Sequence, residues 1–298
     1  MLLFLGGADC LPVFPVSECL MNILVFCAVL TAAMLHAGWN ALVKTGDNKH
    51  TGMLILTLAH AFIGLSLIPF LPFPQGEVWL WLLASGILHM FYQLFLGFAY
   101  ERGDLSRVYP IARGGAPMIV LVISLLFGID TLTGFELWGI LVLGLGIVMM
   151  AQGVFLSGED RKLIPMAIGS ACATAGYSLV DGLGARAMGD ALAYVSWLLI
   201  FSALFYTPAI LALRGHSVWP HNLRQISVGL LAGLASFTAY AIVVWAMTEA
   251  PISLVTALRE SSILFAMIVG WIFFRDKMGP VKILAGIVIG IGITLTRF

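Results

Sequence analysis

Two arginines and two carboxylates lie inside long apolar stretches of this sequence, where an ionisable side chain is costly to bury. Arg113 is surrounded by Pro110, Gly114, Gly115 and Pro117, which interrupt helical hydrogen bonding and free backbone groups. A guanidinium beside an interrupted helix can hold a carboxylate or a phosphate through two parallel hydrogen bonds. Arg113 is therefore a candidate anion-binding residue. The alternative is that its long side chain reaches the polar surface at the start of its apolar stretch.

A second charged pair, Arg259 and Glu260, lies deep in a later apolar stretch and is followed by Ser261 and Ser262. Arg259 is a second candidate for an anionic group. Glu260 is a candidate for proton coupling or for balancing an amine, unless the two residues only neutralise each other. Asp181, near the end of another stretch, is a candidate gate or coupling residue, unless water reaches it at that end.

Polar and aromatic side chains suited to a binding cavity recur in the same stretches. His36 and Asn40 lie one turn apart on one helix face. His60 and His89 are alternatives to His36, although a lone histidine in a helix bundle more often bonds a neighbouring helix. Aromatic rings can hold apolar or cationic groups, or mark the lipid interface instead. The aromatic candidates are Trp39, Tyr92, Tyr109, Tyr177, Tyr240 and Trp245.

The composition is that of a protein embedded in a membrane. Of the 298 residues 61% are hydrophobic and only 10% are charged, and the formal net charge is zero, which argues against nucleic acid as a partner. The sequence has no HExxH, GxSxG or Walker motif and no metal-ligand cluster, so we expect no enzyme activity, no cofactor, no metal and no ATP-driven step. The four cysteines suit neither zinc nor a disulfide framework.

Polar residues divide the chain into about ten apolar segments long enough to cross a bilayer. Only a helix satisfies its own backbone in lipid, so the prediction is an all-α membrane protein. Residues 1–20 contain two prolines and no Lys or Arg, and we expect an unordered tail or a mis-assigned start there. The predicted spans are 22–43, 52–72, 78–99, 106–127, 134–156, 163–184, 190–213, 226–248, 252–274 and 280–297.

The second half of the chain repeats the first. Ala37-Gly38-Trp39 matches Ala175-Gly176-Tyr177, and Arg113 matches Arg259. Such matches fall in order along corresponding spans, which indicates a duplicated five-helix unit over residues 21–157 and 163–298. Because the unit has an odd number of spans, its two copies enter the membrane in opposite directions, as in many secondary transporters.

The five-plus-five plan resembles the EamA-type transporters of the drug/metabolite transporter superfamily. The segments Tyr109–Pro117 and His36–Asn40 are similar to sequences typical of that family, and the resemblance covers roughly residues 22–297. It implies export or exchange of amino acids and other small metabolites, while more distant relatives carry sugar phosphates and nucleotide sugars.

The basic residues lie mainly on one side of the predicted membrane. Loops after odd-numbered spans carry eleven of the 15 Lys and Arg residues, whereas the opposite side carries only Arg186 and Arg297. By the positive-inside rule the basic side is cytoplasmic and both termini face outward. Relatives are usually drawn with both termini inside, so the orientation stays open.

The sequence thus predicts a secondary transporter of the inner cell membrane for a small, carboxylate-bearing metabolite such as an amino acid. The substrate would bind between the repeats, framed by spans 1, 3, 4, 6, 8 and 9. A carrier of a phosphorylated or phosphonate-like anion is the alternative. An enzyme acting on lipid-linked substrates and a non-transporting scaffold are rivals from other classes. The expected partners are the substrate, the lipid bilayer and possible further copies of the chain.

Overall fold

A computed structural model describes residues 21–44, 49–101, 105–156, 163–274 and 278–298. Within these ranges the side chains of 43–44, 49, 100, 105–113, 151–156, 163 and 273–274 lie outside the description. The predicted tail at residues 1–20 also lies outside the described residues.

The described residues form helices joined by short loops, with no strand among them, which confirms the all-α prediction. Most of the predicted spans correspond to one helix each. Two short 3₁₀ helices, Ile68–Phe70 and Gly215–Val218, extend α2 and α7. The helices are α1 (Ile23–Lys44), α2 (Lys49–Leu67), α3 (Val78–Tyr100), α4 (Leu105–Phe127), α5 (Gly134–Leu156), α6 (Leu163–Met188), α7 (Ala191–Arg214), α8 (Leu223–Glu249), α9 (Ile252–Arg259), α10 (Ser262–Phe274) and α11 (Pro280–Leu295).

Six helical segments of the described chain are long and apolar enough to cross a bilayer. Three shorter apolar helices accompany them, so the protein is a multi-pass membrane protein. The six segments are Ile23–Leu42, His50–Phe70, Val78–Ala99, Ala191–Val218, Leu223–Glu249 and Ile252–Ile272. The shorter helices are Gly114–Phe127, Gly134–Met150 and Pro280–Leu295.

Side chains at several helix starts satisfy the amides that the helix itself leaves unbonded. At α5, the Thr133 amide donates to Glu136 Oε2 at 2.7 Å, and the Glu136 amide donates to Thr133 Oγ1 at 3.2 Å. This reciprocal pair is a capping box. Asp190 caps α7 and Asn222 caps α8, each by accepting from the amide three residues later at 2.8 Å. These caps fix where the apolar segments begin.

The ninth predicted span is found as one apolar segment, Ile252–Ile272, but within it the chain forms two helices, α9 and α10. At the break, the amides of Glu260 and Ser261 bond carbonyls three residues back, at Ala257 and Leu258. Such short turns tighten and interrupt an α-helix. The break falls at a buried run of polar residues, Glu260, Ser261 and Ser262.

The corresponding residues of the first half do not break their helix. The sequence predicted an interruption around Arg113, but α4 runs from Leu105 to Phe127 without one, so that expectation is wrong. A proline removes one hydrogen bond, and the helix can continue through a single loss when its neighbours hold it. The two halves therefore differ at equivalent positions.

Helix packing follows a pattern that is preserved when each helix is exchanged for its counterpart in the other half. Helix α3 packs on α6 as α8 packs on α1, and α3 packs on α7 as α8 packs on α2. Helix α4 packs on α6 as α10 and α9 pack on α1, while α5 packs on α11 and α2 on α7. Such an exchange is expected for a duplicated unit.

Two polar clusters connect the halves at opposite ends of the helices. After α4, Asp130 accepts from the amides of Ile252 and Ser253 at 3.0 and 2.9 Å and so caps α9. Nearby, Arg186 donates to the carbonyls of Met247 and Ala250 at the end of α8.

At the other end, Glu101 after α3 pairs with His50 of α2 at 2.9 Å and with Arg214 of α7. The Arg214 guanidinium also lies 5.1 Å from the Phe98 ring centroid. The interior of the bundle between the two ends contains a cavity.

Candidate functional site

A cavity of about 60 Å³ lies among seven helices, α1, α2, α3, α6, α7, α8 and α9. Its volume is enough for roughly four to six water molecules. It is lined by Ala32, His36, Trp39, Met53, Leu56, His60, His89, Tyr92, Gln93, Tyr177, Leu199, Ser236, Ala239, Tyr240, Val243 and Arg259. Both halves of the chain contribute side chains, as expected for a site between repeats.

The position of His89 shows how deep the cavity lies. His89 is the central residue of α3, eleven residues from Val78 and eleven from Tyr100. At 1.5 Å per residue each end of the helix is roughly 16 Å away. Half of a bilayer's hydrocarbon core is about 15 Å, so His89 lies near the middle of its span.

A buried carboxylate, Asp181 of α6, lies behind the cavity wall. Its side chain is fully buried, and it accepts hydrogen bonds from Tyr194 of α7 at 3.3 Å and from Tyr240 of α8. His89 Nε2 lies 3.0 Å from Asp181 Oδ2. The alternative that water solvates Asp181 at a helix end is therefore wrong. The carboxylate thus has three partners from three helices.

Aromatic rings surround the imidazole of His89. Tyr177 stacks on it with ring centroids 4.1 Å apart and an interplanar angle of 22°. Tyr240 meets it edge-on at 5.4 Å, and Tyr92 does so at 6.5 Å. This packing fixes the ring plane, so His89 has one orientation with respect to Asp181.

Arg259 brings a permanent positive charge to the same cavity. Only 2% of the residue is exposed, and its Cζ lies 5.9 Å from the centroid of the Tyr177 ring. Its Nη2 is 3.3 Å from Oε1 of Glu260, which is fully buried and does not line the cavity. Arg259 is the last residue of α9 and therefore lies directly at the helix break.

Polar groups also line the side of the cavity formed by α2, α3 and α7. Gln93, one turn after His89, accepts from Thr57 at 3.2 Å and donates to Ser202 at 3.1 Å. His60 is 5% exposed, and neither of its ring nitrogens makes a hydrogen bond within the described residues. The backbone of Gly233 lies close enough to His60 to interact electrostatically.

Several residues singled out in the sequence meet at this cavity. Trp39 Nε1 donates to His36 Nδ1 at 3.3 Å, and both side chains line the wall. The other candidates from the sequence that line it are Tyr92, Tyr177, Tyr240 and Arg259.

Other candidates whose side chains the structure describes are not brought to the cavity wall. Asn40 bonds the carbonyl of His36 at 2.7 Å, and Trp245 packs against an apolar cluster. The side chains of Tyr109 and Arg113 lie outside the described residues. The described side chains of α4 do not line the cavity, whereas those of α2 and α7, absent from the predicted frame, do.

Gln93 and Ser236 are cavity residues that the sequence analysis did not select. A signal for Gln93 exists, because it follows His89 by four residues in an otherwise apolar span and so lies on the same helix face. Ser236 offers no comparable signal, since a single serine in an apolar helix is common at helix contacts.

Comparisons with known proteins bear on the family and the fold of the chain. Residues 161–298 match the model of the EamA-like transporter family, part of the drug/metabolite transporter superfamily, which confirms the resemblance seen in the sequence over that part of the chain. No curated protein matches the chain. One solved structure, described only as the crystal structure of a protein, is 18% identical with a TM-score of 0.69 and covers 92% of this chain and 96% of its own. At that identity the likeness shows the fold alone.

Proposed function

We propose, from the EamA-like match and the cavity between the halves, that the chain is a secondary transporter of the inner cell membrane. It exports or exchanges a small, carboxylate-bearing metabolite such as an amino acid. The match and the membrane-spanning helices support a transporter of the drug/metabolite superfamily. The substrate class rests on one observation, the buried guanidinium of Arg259 in the cavity wall.

A buried arginine in a cavity suits an anionic group for electrostatic and geometric reasons. The guanidinium is planar, stays charged, and presents pairs of N–H donors that match the two oxygens of a carboxylate. Glu260 offsets the charge from behind, at 3.3 Å, without occupying the cavity itself. A substrate carboxylate would thus approach Arg259 from the cavity. Arg113, its sequence counterpart, is proposed to contribute to the same site from α4.

The size of the cavity favours a small substrate. Its volume of about 60 Å³ holds roughly as many water molecules as a small amino acid has non-hydrogen atoms. A phosphorylated sugar or another phosphorylated anion satisfies Arg259 equally well but requires a wider cavity. The carboxylate-bearing metabolite is therefore the first proposal and the phosphorylated anion the second.

Alternating access is supported by the ties between the halves. Asp130 caps α9 at one end of the bundle, and Glu101 pairs with Arg214 at the other. Opening to one side of the membrane would separate one tie and leave the other in place. The break between α9 and α10 gives Arg259 a hinge next to the substrate.

Arg259→Lys tests the anion site. Lysine keeps the charge but lacks the planar pair of donors, so affinity should fall roughly ten- to a hundred-fold. Purified protein would be screened by thermal shift against amino acids, hydroxy acids and sugar phosphates, because a ligand that binds only the folded state raises the melting temperature.

Arg224→Lys is the matched control, since Arg224 is exposed at the start of α8. It should bind like the parent. Equal ligand shifts in Arg259→Lys and the parent would show that Arg259 does not hold the substrate. A shift with sugar phosphates alone would select the second proposal.

A further inference from the structure

We infer that His89 and Asp181 form a proton-binding pair whose proton competes with the amino group of the substrate, so that transport is an exchange of substrate for protons. The inference rests on the proposed function, because it requires an amine-bearing substrate in the same cavity. It starts from the position of the pair: His89 lines the cavity at the centre of α3, and Asp181 lies directly behind it.

The first step concerns the resting state of Asp181. Its carboxylate is fully buried, accepts from Tyr194 and Tyr240, and lies 3.0 Å from His89 Nε2. An ionised carboxylate has only acceptor oxygens. His89 then donates through Nε2, which is the nitrogen 3.0 Å from Asp181 Oδ2, and Nδ1 of the neutral ring is left as an acceptor.

The second step is the proton transfer itself. Because Nε2 is engaged by Asp181, a proton that enters from water in the cavity is taken up at Nδ1. The products are an imidazolium and hydroxide, or simply water when hydronium is the donor, and no other bond changes. The imidazolium beside the Asp181 carboxylate forms a neutral buried pair, which offsets the cost of charging the ring.

The third step links the proton to the substrate. Neutral His89 accepts a hydrogen bond from an ammonium group at Nδ1, whereas the imidazolium donates there and repels it. The proton and the ammonium group therefore exclude each other at one atom. By linkage, the proton weakens substrate binding by the same factor as the substrate weakens proton binding.

The other charged and titratable groups around His89 fit this assignment. Arg259 lies across Tyr177 and provides the site for the carboxylate end of the substrate, so the amino end is directed toward His89. Glu260 lies behind Arg259 and does not line the cavity. Among the described side chains, the titratable and charged groups facing the pair are His60 from α2, Tyr92 from α3, Tyr177 from α6, Tyr194 from α7, Tyr240 from α8 and Arg259 from α9.

The test uses purified full-length protein in proteoliposomes and a radiolabelled mixture of amino acids as the probe. Counterflow at equal pH on both sides reports transport without a gradient, and accumulation driven by a pH gradient reports coupling. In the parent, both should occur, and the apparent affinity in counterflow should weaken toward roughly tenfold per pH unit as the pH falls.

His89→Gln and Asp181→Asn separate coupling from transport. Glutamine keeps a donor for Asp181 but takes up no proton. Counterflow should weaken because the contact with the ammonium group changes, and the counterflow that remains should lose its pH dependence and no longer become accumulation under a gradient. Asp181→Asn should do the same. His89→Gln keeps the test decisive if Asp181→Asn does not fold.

The remaining outcomes are equally defined. Parent counterflow that ignores pH would overturn the inference and leave the proposed function standing. An unchanged pH profile in His89→Gln, with a lost profile in Glu260→Gln, would assign coupling to Glu260 instead. Absence of counterflow in a folded parent protein would contradict the proposed amino acid substrate itself.

Discussion

Arg113 and Arg259 are counterparts in sequence but lie on different backbones. Arg259 ends α9 at a helix break, whereas Arg113 lies within the continuous helix α4. A duplicated pair of arginines would give a symmetric anion site, but Gly114 follows Arg113 where Glu260 follows Arg259. In the sequence, therefore, a carboxylate follows the arginine of the second half but not that of the first half. This asymmetry lets the two residues be tested separately.

Arg113→Lys distinguishes a substrate contact from a side chain that reaches the membrane surface. Lysine reaches the surface at least as well as arginine, so the surface alternative predicts an almost silent change. If Arg113 binds the anion, losing the planar donor pair should cost on the order of 1.5–3 kcal/mol, or roughly ten- to a hundred-fold in affinity. Affinity would be measured by the thermal shift that the best ligand of the parent produces.

The control for that change lies in the same helix. Arg107 is near the start of α4, and Arg107→Lys should bind and express like the parent. If Arg113→Lys also binds like the parent, Arg113 is not part of the anion site, and the substrate carboxylate depends on Arg259 alone.

The sequence predicted several individual cavity residues but not which side chains contact each other. Ionisable and aromatic side chains inside apolar spans pointed to Arg259, Tyr177 and Trp39, because such groups are costly or conspicuous there. It could not pair His89 with Asp181, which are 92 positions apart and meet only once α3 packs on α6. Asp181 was for the same reason left between a coupling role and a solvated one.

At the scale of helices, the length of the apolar segments predicted most of the helices, whereas their starts and breaks depend on particular polar residues. The first residues of α5 and α8 follow from N-terminal capping residues that are visible in the sequence. The sequence analysis predicted a helix interruption near Arg113 and not at Glu260, because the prolines and glycines near Arg113 are the more obvious local signal. Whether a Glu-Ser-Ser run lies at a helix break depends on how the helix packs in the bundle, and the local sequence alone does not give that packing.

Glycines explain how the two halves come close at α5 and α11. A Cβ on Gly146 would lie 2.7 Å from Ile289 Cγ1 and 2.9 Å from the Ile289 amide nitrogen. A Cβ on Gly292 would lie 2.6 Å from the Leu143 amide nitrogen. These two glycines correspond in the sequence repeat, so the same small-residue contact occurs from both sides.

Gly146→Ala should therefore destabilise the contact between α5 and α11. Overpacking costs about 1–3 kcal/mol, which exceeds the gain of roughly 0.5–1 kcal/mol from placing alanine in a helix. Gly290→Ala is the matched control, because nothing lies within 4 Å of a Cβ there and only the helix gain applies. The melting temperature in detergent should fall for Gly146→Ala and stay equal or rise for Gly290→Ala. The reverse order would place the close contact elsewhere.

At the scale of the molecule, equivalent helices of the two halves make equivalent contacts, which supports the sequence repeat. Weak matches such as Trp39 with Tyr177 gain meaning because both rings line one cavity. The ties at Asp130 and at Glu101 lie at opposite ends, where two inverted copies would each present the same kind of gate. The sequence predicted this plan from the internal matches and the odd number of spans in each unit, but it could not predict which residues join the two halves at each end.

The orientation of the plan is the last prediction. The basic face carries eleven of the 15 Lys and Arg residues, so the positive-inside rule places it in the cytoplasm and both termini outside. In a cysteine-free background, an impermeant thiol reagent applied to intact cells should label Glu77→Cys and Thr131→Cys, both exposed on the opposite face. Lys49→Cys, Arg161→Cys and Lys277→Cys should react only after the cells are permeabilised. The inverse labelling pattern would place both termini inside, as in the usual drawing of EamA-type relatives, and would mean that the first span overrides the charge bias of the loops.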